Sequence, residues 1–479
     1  MRSDSDGDLS SINLIELNFN WSQLLKVAVT FGLQQVPYAG GLISGIVGVL
    51  WPVDKPDVWA EIKQRAEELV NRKLEDAIWK EMAAYLNGFN EALKIYLTLT
   101  RTPREKQDLE AIKRRWEAIE NNFVTVKPLF QVSPHQVLLL PLFAPFATLH
   151  LTLLRDAAFD GLRWGLLPGT VEQIRKRLRE TQEDYRSYTT KIYEDEFKYR
   201  EGITKENFRA VEPFRSVNTF VRVMTLTVLD FRDRWPDFLV EKPVVKSLPR
   251  EIFSDPAGTT APNSGSRPPK NRPPMATRPI ERIQAWGYQN LDAIQVFYPA
   301  GGAPDGSDRT PRMGTRGGSD SPPDGGNWSL KPPNLPISVV DVRSGDYVHQ
   351  LGFVVKGRSL NVGGRSPGGQ SVRFSCDGHI LSSVYITGTN QDDRNPAAEC
   401  IIFGFRYPEV QTFTLAEQEF LYVHSLEDPE TGDPMGALSL TGEPDESIDA
   451  QDLETRWRAA RAEYWSQVNA QAAAVQERE

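Results

Sequence analysis

Between Gln136 and Leu154 the chain runs for 19 residues without a formal charge, QVLLLPLFAPFATLHLTLL, before Arg155 and Asp156 close the run. A helix apolar on every side has two stable settings, the centre of a helical bundle or a bilayer. About 20 apolar residues cross a hydrocarbon core, so the run is just long enough to span one. Pro141 and Pro145 would kink a lone soluble helix. In a bundle or a bilayer the kinks are tolerated, because neighbouring groups or water take up the freed carbonyls. The side chains that would meet lipid are Leu138, Leu139, Leu142, Phe143, Phe146, Leu149, Leu151, Leu153 and Leu154. Taken alone, the run reads first as a buried core helix. The two settings combine if a soluble bundle hides the helix until a trigger releases it. His150, inside the run, reads as a satisfied core histidine in preference to a pH switch.

The surroundings favour a bundle. Residues 12–240 read as helix after helix. Asp57 is a plausible N-cap for a helix from Val58, with Ile62, Ala66, Leu69, Leu74 and Ile78 at near-helical spacing. A further helix runs through Met82, Phe89 and Tyr96 to the break at Thr100-Arg101-Thr102-Pro103. The next, from Arg104 to about Phe130, is amphipathic: Leu109, Ile112, Trp116, Ile119, Phe123 and Val126 form a stripe. Lys113, Arg114, Glu117 and Glu120 are expected to face away from it. Helices over about 170–199 and 205–235 follow. A mean hydropathy of -0.42, with 40 % apolar and 25 % charged residues, is that of a water-soluble chain.

The pattern then changes. Residues 255–280 hold seven prolines and read as a linker. Beyond them the period is two. Ile283, Ala285, Leu291, Ile294, Val296 and Tyr298 recur, shifted by 57 residues, as Val340, Val342, Val348, Leu351, Phe353 and Val355. A looser third copy has Val384 and Ile386, then Ile401, Phe403 and Phe405, with about six extra residues in its turn. Three such units predict a three-fold pseudo-symmetric β domain. The expected fold class is therefore α+β and multidomain: a helical bundle around a central apolar helix, the three-fold β domain, and a C-terminal helix. The expected divisions are a flexible 1–20, a bundle over 21–245, a linker over 246–280, a β domain over 281–426, and an acidic tail with its helix over 427–479.

The net charge of -9 is uneven: residues 411–479 hold 15 acidic and 4 basic side chains, a net of -11, which leaves +2 elsewhere. No basic face marks a nucleic-acid partner. The five histidines show no metal-ligand spacing, no Walker or nucleophile-elbow motif occurs, and no metal or cofactor is expected. An enzyme is a poor reading. Cys376 and Cys400 lie in neighbouring expected strands; they can pair, though two buried thiols is the simpler reading. The polar, acidic start lacks a secretory pattern, so the chain is expected to stay in the cytosol that made it or to leave by another route.

Several blocks carry a family resemblance. LPLFAPFATLHLTLLRDA (140–157), VPYAGGLISGIVGVLWP (36–52), and FVRVMTLTVLDFRDRWPDF (220–238) followed by LPREIFSDP (248–256) resemble, in order and spacing, the three-domain Cry δ-endotoxins, the insecticidal crystal toxins. The resemblance covers residues 30–256. It implies a seven-helix bundle whose central helix and the preceding one insert as a hairpin and form a cation-permeable pore, oligomeric in that state, followed by a β domain that is a jacalin-like β-prism. The partners it implies are a target-cell membrane and a surface receptor, protein or glycan. It implies synthesis in a bacterial cytoplasm and action at a host membrane. By analogy, Arg101 and Arg104 are candidate protease-activation points. The implied receptor loops of the β domain contain Trp286, Tyr288, Tyr347, Asp392 and Asp393, with Trp328 a further exposed candidate. The family's third, β-sandwich domain finds no counterpart in this sequence. A second toxin component is then conceivable, as is a lectin-like binder with a non-inserting scaffold. Asp392 and Asp393 lack the surrounding motif of a jacalin-type sugar site.

Overall fold

The computed structural model describes residues 10–13, 43, 46–47, 50–51, 57–70, 73–101, 108–206, 211–239, 250–258, 276–287, 290–310, 313–314, 326–330, 335–345, 347–355, 358–363, 368–376, 379–387 and 398–407. By contacts they form two units. One is helical and holds residues 57–194 and 226–239; the other holds the strands together with 195–225. Residues 408–426 of the expected β domain and the tail helix lie outside the described residues.

In the helical unit, α1 (Val58–Val70) starts where Asp57 Oδ1 accepts from the N–H groups of Trp59 and Ala60 at 3.1 and 3.2 Å. Next comes α2 (Asp76–Arg101). The amphipathic helix α3 (Leu109–Val126) starts later than the expected Arg104, because Asp108 caps it, accepting from Ala111 N at 2.9 Å. Pro128 then tightens the chain into a 3₁₀ turn, Lys127–Gln131. The apolar helix α4 (Gln136–Asp160) passes both prolines and continues beyond Leu154. Its charged end is accommodated because buried Asp156 accepts from the Tyr96 hydroxyl at 3.2 Å. Gly165, at φ +79°, turns the chain toward α5 (Pro168–Glu206). The expected helix over 205–235 is instead α6 (Val211–Met224), a π turn (Thr225–Leu229), a single helical turn α7 (Asp230–Arg232) and a 3₁₀ turn (Trp235–Leu239).

The second unit is three sheets, each built on one hairpin. The first pairs β4 (Arg282–Gly287) with β5 (Leu291–Phe297). The second pairs β8 (Val339–Ser344) with β9 (Val348–Val355). The third pairs β12 (Ile380–Thr387) with β13 (Cys400–Arg406). The 57-residue shift is a structural register: Ile283 opposes Val296, and Val340 opposes Phe353. In the third hairpin Val384 opposes Phe403, with the extra residues in its turn. The first sheet is completed by β6 (Met313–Gly314) and β7 (Gly326–Leu330). To the second are added β10 (Arg358–Gly363) and β11 (Gln370–Ser375). The repeated apolar residues face inward, with Ile283, Val296, Val340, Phe353, Val384 and Phe403 at most 1 % exposed; Ile386 is only half-buried.

Two expectations at the edges of this unit need correction. Residues 252–258, placed in a linker by their composition, form β2 (Ile252–Phe253) and β3 (Ala257–Gly258), both paired with β13. Ser10–Asn13, placed in a flexible terminus, form β1, which runs parallel to the edge strand β11. Nor does the helical region end as one block at 245. On α6, Asn218 Nδ2 donates to the carbonyls of Phe253 and Ser254, and Arg222 Nη1 donates to Phe253 O at 2.8 Å, so residues 195–225 group with the strands.

Candidate membrane-inserting hairpin

α3 and α4, joined through the 3₁₀ turn, form an antiparallel hairpin. Every residue from Leu138 to Leu154 is buried, including all nine expected to meet lipid. Among the α3 residues proposed to line its partner face, Ile112, Trp116, Ile119 and Phe123 are buried. Leu109 is not: it is 37 % exposed, because it opens the first turn, beyond the reach of the neighbouring helix. The two helices are keyed by Trp116 Nε1, which donates to Leu153 O at 2.8 Å, and by rings. Phe123 and Phe146 lie 5.1 Å apart, and Phe130 stacks on Phe146 at 4.3 Å.

Polar contacts fasten this apolar hairpin to its surroundings. Glu120, expected to face water, is 3 % exposed and accepts from Arg177 Nη1 of α5 at 2.7 Å. Lys127, in the turn, pairs with Asp184. His150 Nδ1 lies 2.6 Å from the Tyr185 hydroxyl. Arg177, Asp184 and Tyr185 fall at helical spacing of seven and eight along α5, so one stripe of that helix grips both arms. From the far end of the bundle Trp235 Nε1 donates to Thr148 Oγ1 at 3.0 Å. The partner stripe on α5 is charged, and nothing in its local pattern distinguishes it from a solvated face; only the fold reveals it.

His150 is a core histidine, though not a fully satisfied one. It stacks on Phe123 at 4.8 Å, and its Nε2 finds no partner among the described residues. Burial, then the cations Lys127 and Arg177, push its pKa down to about 3, so the ring is neutral at neutral pH. Tyr185 is pushed well above its ordinary range, first by burial and then by Asp184 and Glu120.

Because Glu120 is buried and Arg177 is not, the two ends of their pair are unequal. Arg177→Ala strands a carboxylate in the bundle and is expected to cost about 2 kcal/mol, less than a fully enclosed pair because water reaches the arginine. Glu120→Gln removes the charge itself and should cost less. Thermal unfolding of the two variants checks the order.

In the β unit the three hairpin ends converge: Ala398 N donates to Leu291 O, and Val348 N to Ala398 O, both at 2.7 Å. Among the expected receptor-loop residues, Trp286 is half-buried on β4, opposite Ala293 and Asn327. Tyr347 is half-buried in the β8–β9 turn, and Trp328 lies in β7 opposite Ala285. Tyr288, Asp392 and Asp393 lie outside the described residues, as does Arg104, while Arg101 ends α2. Cys376 and Cys400 are both buried and are not joined as a disulfide.

Residues 28–238 match the family described as delta endotoxin, N-terminal domain. The pesticidal crystal protein Cry1Id of Bacillus thuringiensis is 32 % identical over 239 residues, 48 % of this chain and 32 % of that protein. The match thus spans about a third of that relative's length. Among solved structures, the insecticidal delta-endotoxin Cry8Ea1 from Bacillus thuringiensis shares the fold with a TM-score of 0.62 at 20 % identity, over 81 % of this chain and 73 % of that one. PirB does so with a TM-score of 0.64 at 15 % identity, over 84 % of this chain and 97 % of its own.

Proposed function

We propose, since the chain belongs to the delta-endotoxin family through its helical domain, that it is a pore-forming insecticidal-type toxin whose α3–α4 hairpin inserts into a target-cell membrane. The observation that carries this reading is α4 itself: 25 residues, charge-free from Gln136 to Leu154, and buried at every position from Leu138 to Leu154. At about 1.5 Å per residue it is long enough to cross a hydrocarbon core of roughly 30 Å. In water that surface must be hidden, and the bundle hides it. Leaving the bundle for lipid keeps the helix away from water, so its apolar side chains favour the bundle over the bilayer only weakly. What holds the hairpin back is the small set of polar contacts to α5 and to Trp235. α3 follows because its outer face, with Arg114, Glu117, Asn121 and Asn122 exposed, suits the wet side of a pore. Oligomers would assemble from such hairpins.

Target choice falls to the converging hairpin ends of the β unit, with Trp286 and Tyr347 at two of them; Tyr288, Asp392 and Asp393, outside the described residues, are the further candidates from the sequence. A protein or glycan receptor is the expected partner there. Arg101 and Arg104 precede the hairpin and are the proposed activation points.

Planar-bilayer recording of intact and protease-treated protein tests the pore. Discrete conductance steps, increased by protease treatment, are expected. Protein that binds the membrane yet gives no conductance in either form would reduce the bundle to a scaffold.

A further inference from the structure

The fixed charges of the α3–α4 hairpin all sit on its first arm. From Pro128 to Leu154 the sequence holds no formal charge. From Leu109 to Lys127 there are four basic side chains, Lys113, Arg114, Arg115 and Lys127, and three acidic ones, Glu110, Glu117 and Glu120, a net of +1. Three of the four cations are consecutive. At about 100° per residue, Lys113, Arg114 and Arg115 span roughly 200° of the helix circumference at one level. The buried stripe of Ile112, Trp116 and Ile119 takes the remaining side. α3 therefore presents a cation in every direction except that of its apolar stripe. Arg114 is exposed, and Lys113 and Arg115 are half-buried.

The carboxylates do not offset this belt evenly. Glu110 and Glu117 each stand three and four positions from Lys113 and Arg114, the spacings at which side chains of one helix meet. At the same spacings Arg115 has Ala111, Ile112, Ala118 and Ile119, and no carboxylate. Glu120 is the third acidic group. It lies at the border of the apolar stripe, with Trp116 and Phe123 as its neighbours at those spacings, and in the bundle Arg177 of α5 meets its charge. That border keeps Glu120 beside the α4 contact. The rest of the outer face toward the turn, Asn121, Asn122 and Thr125, is polar and neutral.

We infer that the pore passes small inorganic anions in preference to cations, with Arg115, flanked by Lys113 and Arg114, as the residue that sets the sign. This rests on the pore reading above, in which α3 lines the water-filled path. A ring of basic side chains at one level of a channel concentrates anions and repels cations, as a ring of carboxylates does for the opposite sign. Because the three side chains point three ways, the belt meets the path whichever outer face of α3 turns toward it. Each copy in an oligomer adds a further set at the same level. α4, charge-free through the bilayer, supplies no opposing field. The family resemblance implies a pore that passes cations; the fixed charges of this hairpin favour the other sign.

The test is the reversal potential of the full chain, intact and protease-treated, in planar bilayers of neutral lipid across a KCl gradient, repeated with gluconate in place of chloride. Neutral lipid removes the surface potential that anionic headgroups would add. A chloride preference of about threefold or more over potassium is expected, and the bulkier gluconate should carry less current. Arg115→Gln should reduce the preference and Arg115→Glu should reverse its sign, which a mere loss of folded protein does not do. Arg114→Glu, at an exposed position, should shift the potential in the same direction and serves where the Arg115 variants do not fold. Glu120→Gln should leave the chloride preference in place or raise it. A channel that prefers potassium overturns the inference, as does a selectivity that no arginine variant moves. Those outcomes leave the pore reading standing, whereas a complete lack of conductance removes that reading and the inference together.

Discussion

Leu149→Asp is expected to abolish vesicle leakage, while Leu149→Ala at the same position retains it. Leu149 is 2 % exposed near the middle of α4, so both substitutions weaken the soluble bundle. Truncation to alanine leaves a cavity and costs about 2–5 kcal/mol. That loss makes release of the hairpin easier, and alanine is tolerated in a bilayer. Aspartate behaves alike in one respect and oppositely in another: it also loosens the bundle, but it adds roughly 3 kcal/mol to the inserted state, about a hundredfold in insertion. Leu142→Asp and Leu142→Ala should repeat the contrast. Leakage is measured per mole of folded protein, with far-UV circular dichroism and gel filtration fixing the folded amount. If alanine and aspartate lose leakage to the same degree, folding alone explains the loss and the insertion reading fails.

How far the sequence reveals this molecule depends on which forces are local. The charge-free run, the Asp57 cap and the 57-residue shift are short-range or periodic signals, and each reappears as burial, a capped helix start or a strand register. Glu120 was misplaced because its partner Arg177 is 57 residues away and a lone Glu on an amphipathic helix ordinarily faces water. Leu109 was misplaced for the opposite reason, since the apolar stripe continues one turn beyond what the bundle covers. β2 and β3 are two residues each and sit beside a proline-rich stretch, so their pairing with β13 has no periodic signature. The α6 contacts with Phe253 and Ser254 were hidden because Asn218 and Arg222 bond there to backbone carbonyls, which every sequence offers alike, and the Asp255 carboxylate that both also reach is 37 and 33 residues away. The family resemblance located the hairpin but could not name the side chains that fasten it.

Those fastenings are set against a pH response that differs between the two units. In the bundle, His150 is held to a pKa of about 3 against an ordinary 6.5. The unfolded chain binds that proton first, so stability from this group is complete above 6.5 and is lost as pH falls toward 3. At about 1.4 kcal/mol per unit, roughly 2 kcal/mol is gone by pH 5. In the β unit, burial pushes Glu251 up to about 7, against the opposing pull of the Ala276 N–H and Arg406. Its folded form keeps the proton while an unfolded carboxyl gives it up near 4.5, so stability is complete below 4.5 and is lost as pH rises through 7. The full loss is about 3 kcal/mol. Asp292 in β5, raised to about 7 by burial, acts in the same direction with a smaller effect because water reaches it. Hydrogen exchange followed peptide by peptide should therefore show the bundle gaining protection from pH 4 to 7 while the β unit loses it from pH 5 to 8. Glu251→Gln should flatten the second trend without touching the first, and His150→Gln should flatten the first alone. Parallel trends in both units, or a β-unit slope that survives Glu251→Gln, would assign the pH response to other groups. With the expected result, conditions above neutral hold the hairpin's cage at its firmest and the β unit at its weakest, so release of the hairpin at such pH must come from proteolysis or receptor contact and not from titration of the bundle core.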